Sequence, residues 1–228
     1  MTLVVVRDPP ALAAFAADQL DRWLAPAHPG AVMTLALSGG STPIPTLELL
    51  GDRAASWWRW VAILQVDERE VPPDHADRNL AMLERTLLDR VAVGAVHPMP
   101  VGASEPDRAY EAVLRSVCGE PPVIDVVVLG LGADGHTASL VPGDPVLDLG
   151  DELAVGRTQP YHGHRRVTMT ASVLRRARRV VWLVAGTDKA AALAAVLGGD
   201  TSLPAGAVMR PDHVVVADEA AAEHCPRG

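Results

Sequence analysis

Val126-Val127-Val128-Leu129-Gly130-Leu131-Gly132-Ala133-Asp134-Gly135-His136-Thr137-Ala138-Ser139-Leu140 joins an apolar run to a glycine-rich turn. The run reads as a buried strand, and the turn carries an aspartate and a histidine two residues apart. Open parallel sheets bind ligands outside the carboxyl ends of their strands. An acid–base pair that glycines place at such an end points to chemistry. The bland alternative is a tight turn with a solvated Asp134 and a surface His136.

Working outward, the chain alternates strand and helix patterns. Strands are predicted at Leu3 to Val6, Ala31 to Leu37, Val61 to Val66, Val123 to Leu129, Val180 to Ala185 and Val214 to Ala217. Shorter ones are predicted at Leu153 to Thr158 and Val167 to Thr170. Helices are predicted at Pro10 to Leu24, Pro45 to Leu50, Asn79 to Val91, Pro106 to Val117, Ala171 to Arg178 and Ala190 to Leu197. Strands separated by helices require right-handed crossovers. The expectation is an α/β protein: a three-layer, mostly parallel open sheet with helices on both faces, Rossmann-like. No composition break marks a linker, so residues 1–228 are read as a single domain.

Composition narrows the class. A net charge of −8 argues against nucleic acid or an anionic membrane as the main partner. No apolar run approaches the roughly 20 residues of a membrane span. Cys118 and Cys225 are the only cysteines and no CxxC spacing exists, so neither a zinc site nor a disulfide framework is expected. The reading is a soluble cytoplasmic protein.

Other strand ends carry chemistry as well. Ser38-Gly39-Gly40-Ser41-Thr42-Pro43 follows a strand and precedes a helix. Gly39 and Gly40 let consecutive N–H groups turn outward, Ser41 and Thr42 add hydroxyls, and the helix dipole favours an anion. A phosphate monoester suits this loop. It has neither P-loop nor GxGxxG spacing, so no nucleotide is predicted. The alternative is a Ser/Thr helix cap.

Asp67-Glu68-Arg69-Glu70 follows the next strand. Such a bunch of charges is expected to face solvent or a polar cleft, with Asp67 pointing inward and Arg69 available to a phosphate. Lys189, the only lysine of the chain, follows the strand at Val180 to Ala185. Arg165-Arg166 is a further basic spot, and His162 and His164, flanking Gly163 in a loop, are read as surface histidines with substrate contacts as the alternative.

These blocks together resemble the 6-phosphogluconolactonase family. The similarity rests on Leu37-Ser38-Gly39-Gly40-Ser41-Thr42-Pro43, on Asp67-Glu68-Arg69 with Val71-Pro72 and His75, and on Gly130 to Leu140 with Pro142. Leu203-Pro204-Ala205 and Asp218 to Ala222 extend it to the tail. The resemblance implies hydrolysis of a phosphorylated sugar lactone, with His136 as general base and Asp134 and Asp67 as further catalytic residues, Asp134 either orienting the imidazole or binding a substrate hydroxyl. Phosphate would be bound by Gly39, Gly40, Ser41, Thr42, Arg69, Arg166 and Lys189. Neither a cofactor nor a metal is implied, and a monomer or small homo-oligomer is expected. The serine–glycine block is shared with the glucosamine-6-phosphate deaminases, whose pattern implies a carboxylate seven residues after the aspartate. Here that position is Val141, which favours the lactonase. A sugar-phosphate sensor is a third reading, but it needs a DNA-binding segment that this acidic chain does not show.

Overall fold

The computed structural model describes residues 1–225; residues 226–228, the end of the expected 1–228 span, lie outside it. In chain order the strands are β1 (Thr2–Val6), β2 (Met33–Leu37), β3 (Val61–Gln65), β4 (Asp67–Arg69), β5 (Ala95–His97), β6 (Val126–Gly130), β7 (Val155–Arg157), β8 (Arg166–Met169), β9 (Arg179–Val184) and β10 (Val214–Asp218). The helices are α1 (Pro9–Leu24), α2 (Ile44–Arg53), α3 (Asn79–Leu83), α4 (Pro106–Cys118), α5 (Ala171–Arg176), α6 (Ala190–Leu197) and α7 (Pro204–Val208).

Seven strands form one sheet in the order β1-β10-β9-β6-β2-β3-β5. Every pairing within it is parallel. Alternation along each strand divides the core in two. Leu35, Leu37, Ile63, Val126, Val128, Val181 and Leu183 face α1, α2 and α3. Ala36, Leu64, Val127, Leu129, Val180 and Trp182 face the layer built by α4 to α7. Helices therefore cover both faces, as the Val-rich runs require. Among the described residues no helix is long and apolar enough to cross a membrane.

The sheet grows in opposite directions from β2. The chain runs β2, β3, β5 toward one edge and β6, β9, β10 toward the other. The carboxyl ends of β2 and β6, which are hydrogen-bonded neighbours, thus flank the switch point where such sheets open a crevice.

The structure adds three features to the expected plan. A second, three-stranded antiparallel sheet has the order β4-β8-β7. It begins where Val66 leaves the main sheet: its N–H still reaches the carbonyl of Leu37 at 3.0 Å, while its own carbonyl accepts Met169 N–H at 2.9 Å. The edge strand β5 and the short α7 lie in segments without a periodic apolar signal. The helix expected over Asn79 to Val91 instead has an α-helical start and a π-helical turn at Glu84–Leu88.

Candidate active site

Two loops from the switch point form the floor of one cleft, about 230 Å³ in volume. It is lined by Gly39, Gly40, Ser41, Thr42, Asp67, Arg69, His136, Arg166 and Lys189, all of which the sequence had marked out. Asp134 does not line it. That residue sits behind His136 and reaches the cleft only through it.

The first loop leaves β2 with Ser38 Oγ donating to the carbonyl of Val128 on β6, 2.9 Å away. A Cβ on Gly39 would collide with the Asn79 carboxamide, so only glycine fits there. Among the described residues no protein acceptor takes the N–H of Gly39, Gly40, Ser41 or Thr42. Free amides on a loop that leads into a helix make an anion cradle.

The second loop leaves β6 and folds back on itself. Gly132 N–H donates to the His136 carbonyl at 2.8 Å, so that amide is not free to meet an oxyanion. A Cβ on Gly132 would strike the His136 ring, so the glycine makes room for the imidazole. Asp134 Oδ1 lies 2.6 Å from His136 Nδ1 and also accepts the His136 N–H at 3.1 Å. A carboxylate on Nδ1 selects the tautomer with its proton there and leaves the lone pair on Nε2. The Tyr161 hydroxyl donates to Asp134 Oδ2 at 3.2 Å. Burial raises the Asp134 pKa, but the hydrogen bonds from His136 and Tyr161 outweigh it and hold the carboxyl below its ordinary value.

Three cations meet this pair. Arg69 Nη1 is steered by the carbonyl of Asp77 at 2.5 Å and by Asn79 Oδ1 at 3.1 Å. The Arg166 guanidinium stacks over the Tyr161 ring, 5.0 Å from its centroid. Among the described residues its buried Nε has no hydrogen-bond partner, and burial pushes its pKa down. A desolvated guanidinium in that state favours an anionic ligand. Lys189 ends the turn Thr187–Lys189 and pairs with Asp188 at 2.8 Å. That turn is anchored by the buried Asp218, which accepts Gly186 N–H at 3.1 Å.

Asp67 is buried in the cleft wall, and burial raises its pKa against the hydrogen bond from Ser139 Oγ at 2.5 Å. Its neighbour Glu68 corrects the expectation of a charged cluster facing solvent or cleft: the side chain is 0% exposed and lies in the protein interior. Glu68 accepts the N–H groups of Arg69 and Asn79 at 2.8 Å and of Leu80 at 2.9 Å. It also pairs with Arg78 at 3.2 Å. The open amides of α3 and one arginine replace the water that the carboxylate loses.

The sequence reading did not find Tyr161, Asn79 or Ser139 as site residues. Each acts through a partner far along the chain, and nothing in its local pattern marks it. His75, His162 and His164 lie outside the cleft lining. His75, Asp77 and His164 instead cluster beside it, with their ligand atoms within 4.8 Å of one another. The position that would hold the deaminase carboxylate is the buried Val141.

A family model for glucosamine-6-phosphate isomerases/6-phosphogluconolactonase matches residues 7–217. A 6-phosphogluconolactonase from Synechocystis is 42% identical over 170 residues, covering 70% of this chain and 69% of that one. The 6-phosphogluconolactonase of Mycobacterium tuberculosis is 36% identical over 209 residues, covering 84% and 85%. Among solved structures, the 6-phosphogluconolactonase of Trypanosoma brucei superposes with a TM-score of 0.87 at 28% identity, covering 99% of this chain and 98% of that one.

Proposed function

The chain belongs to the glucosamine-6-phosphate isomerase/6-phosphogluconolactonase family, its reaction is the hydrolysis of 6-phospho-D-glucono-1,5-lactone to 6-phosphogluconate in the pentose phosphate pathway, and we propose that His136 is the general base of that step. The observation that supports this role is the Asp134–His136 pair, 2.6 Å apart, at the edge of a cleft holding Arg69, Arg166 and Lys189. The lactone's phosphate lies on the amides of Gly39 to Thr42 and on those cations. Its carbonyl faces His136.

Nε2 takes a proton from water as the oxygen attacks the lactone carbonyl. The tetrahedral oxyanion then collapses, the bond to the ring oxygen breaks, and the imidazolium returns the proton to the departing alkoxide. The new carboxylic acid ionises in solution. Asp134 stabilises the imidazolium without itself taking the proton. General base catalysis of this kind contributes about 10²–10⁴-fold. Asp67, with Asn79 and Ser139, shapes the wall that meets the sugar hydroxyls. The whole chain works as one domain, as a monomer or small homo-oligomer. A cytoplasmic setting suits its two cysteines, neither of which forms a disulfide.

The test uses lactone made fresh by oxidising glucose 6-phosphate, with its loss followed above the spontaneous rate. The native chain accelerates the loss, and His136→Ala lowers kcat about 10²–10⁴-fold with KM little changed. A variant with full kcat would remove His136 as the base. No acceleration by the folded native chain would overturn the lactonase itself.

A further inference from the structure

We propose that His75, Asp77 and His164 form a binding site for a divalent first-row transition metal of the zinc class, at the rim of the cleft and separate from the catalytic pair. The three residues come from two segments. His75 and Asp77 lie in the loop between β4 and α3, and His164 lies in the turn before β8. Spacing along the sequence hides the group, because its third member arrives only when the small sheet pairs β4 with β8.

The geometry is close to what a metal requires. Asp77 Oδ2 lies 3.4 Å from His164 Nε2 and 3.9 Å from His75 Nδ1. Nitrogen and oxygen ligands held at 2.0–2.1 Å around a tetrahedral zinc stand about 3.3 Å from one another. The two imidazole rings meet edge to face, with centroids 5.4 Å apart, so neither blocks the other's approach to a shared centre. His75 Nδ1 accepts the Asp77 backbone N–H at 3.2 Å, so its lone pair already has a partner in the loop. A metal takes the place of that amide. Among the described residues the Asp77 carboxylate forms no ion pair with an arginine, and Arg69 bonds its backbone carbonyl. The side chains are partly exposed, 40%, 54% and 28%, which leaves an entry path. Two imidazoles and one carboxylate select zinc-class ions over magnesium or calcium, and a fourth position stays open to water.

Such a metal would brace the two segments that carry the cleft's outer wall. Asp77 steers Arg69 through its carbonyl, and the turn that holds His164 also holds Tyr161 against Asp134. The proposed hydrolysis routes no step through this metal, so the site and the lactonase reading stand or fall separately.

Metal-stripped native protein is titrated with Zn²⁺ by calorimetry and with Co²⁺ by visible absorption. One equivalent is expected to bind, with the intense ligand-field bands of a low-coordinate cobalt site. His75→Gln and His164→Gln should each weaken binding tenfold or more while circular dichroism stays native. His136→Ala should bind as the native protein does. In proton NMR, the ring signals of His75 and His164, assigned from those variants, should shift on adding Zn²⁺. No saturable binding would overturn the proposal. So would binding that survives both glutamine variants, or that is lost in His136→Ala.

Discussion

Asp67 and Glu68 are chain neighbours with opposite surroundings, one in the wall of the cleft and the other sealed in the interior. Their sequence reads only as a charge run, so Asp67 was legible and Glu68 was not. What decides burial is the supply of donors, and the donors to Glu68 come from α3, more than ten residues later. The cations were better marked. Arg69, Arg166 and Lys189 were named from strand ends or resemblance, and the structure brings all three to one cleft. Among the described residues Lys189 makes one ion pair, to Asp188, whose side chain is 64% exposed, so the amine has little to lose by turning to a phosphate. Lys189→Ala should raise KM roughly 10- to 100-fold, matching about 1.5–3 kcal/mol for a charge-assisted hydrogen bond, and leave kcat nearly unchanged. Steady-state kinetics on fresh lactone checks this. An equal fall in kcat at unchanged KM would mean that the lysine acts in the transition state rather than in binding.

Among the elements, the main parallel strands were legible because their apolar runs are continuous and bounded by turns. The small sheet was only half legible. Its strands β4, β7 and β8 are three or four residues long, and β4 consists of Asp67, Glu68 and Arg69. No alternation can be read from so short and polar a strand; its pairing comes from the way the chain departs the main sheet at Val66. The element that fixes this departure is the start of α3, whose first amides bind Glu68. Glu68→Ala removes those acceptors and leaves the Arg78 guanidinium buried without its carboxylate. Loss of one partner from a buried pair costs about 3–5 kcal/mol, so the urea midpoint should fall by a matching amount. Adding Arg78→Ala should restore part of the loss, because an uncompensated charge is then removed. Strictly additive losses would show that the pair is not coupled.

At the scale of the whole molecule, the α/β class was legible from the alternation of elements, whereas the strand order was not. The order depends on which helix covers which face, and Val-rich strands fit every position equally well. One buried group ties the far part of this sheet to pH. His213 accepts Trp182 Nε1–H on β9 at 3.2 Å, just before β10 begins. Burial, aided by Arg210, the N-terminus and Arg175 and opposed by Asp212, pushes its pKa from 6.5 down to about 4. The unfolded chain therefore binds more protons than the folded one between those values. This contribution to stability is complete above pH 6.5 and is lost as the pH falls toward 4. It amounts to on the order of 2 kcal/mol after allowance for solvent screening, or roughly 4–8 °C in Tm. His213→Asn keeps an acceptor for the indole and should flatten that part of a Tm-against-pH curve; an unchanged slope would assign the effect to other groups. The composition of the chain has a last, practical consequence. Its one side-chain amine, that of Lys189, stands in the cleft. A phosphate-bearing aldehyde such as pyridoxal phosphate should thus condense with this single side chain, and borohydride should fix the label there. Mass spectrometry would then find one modified lysine peptide per chain, protected by 6-phosphogluconate, so the protein carries its own titratable handle for counting competent molecules.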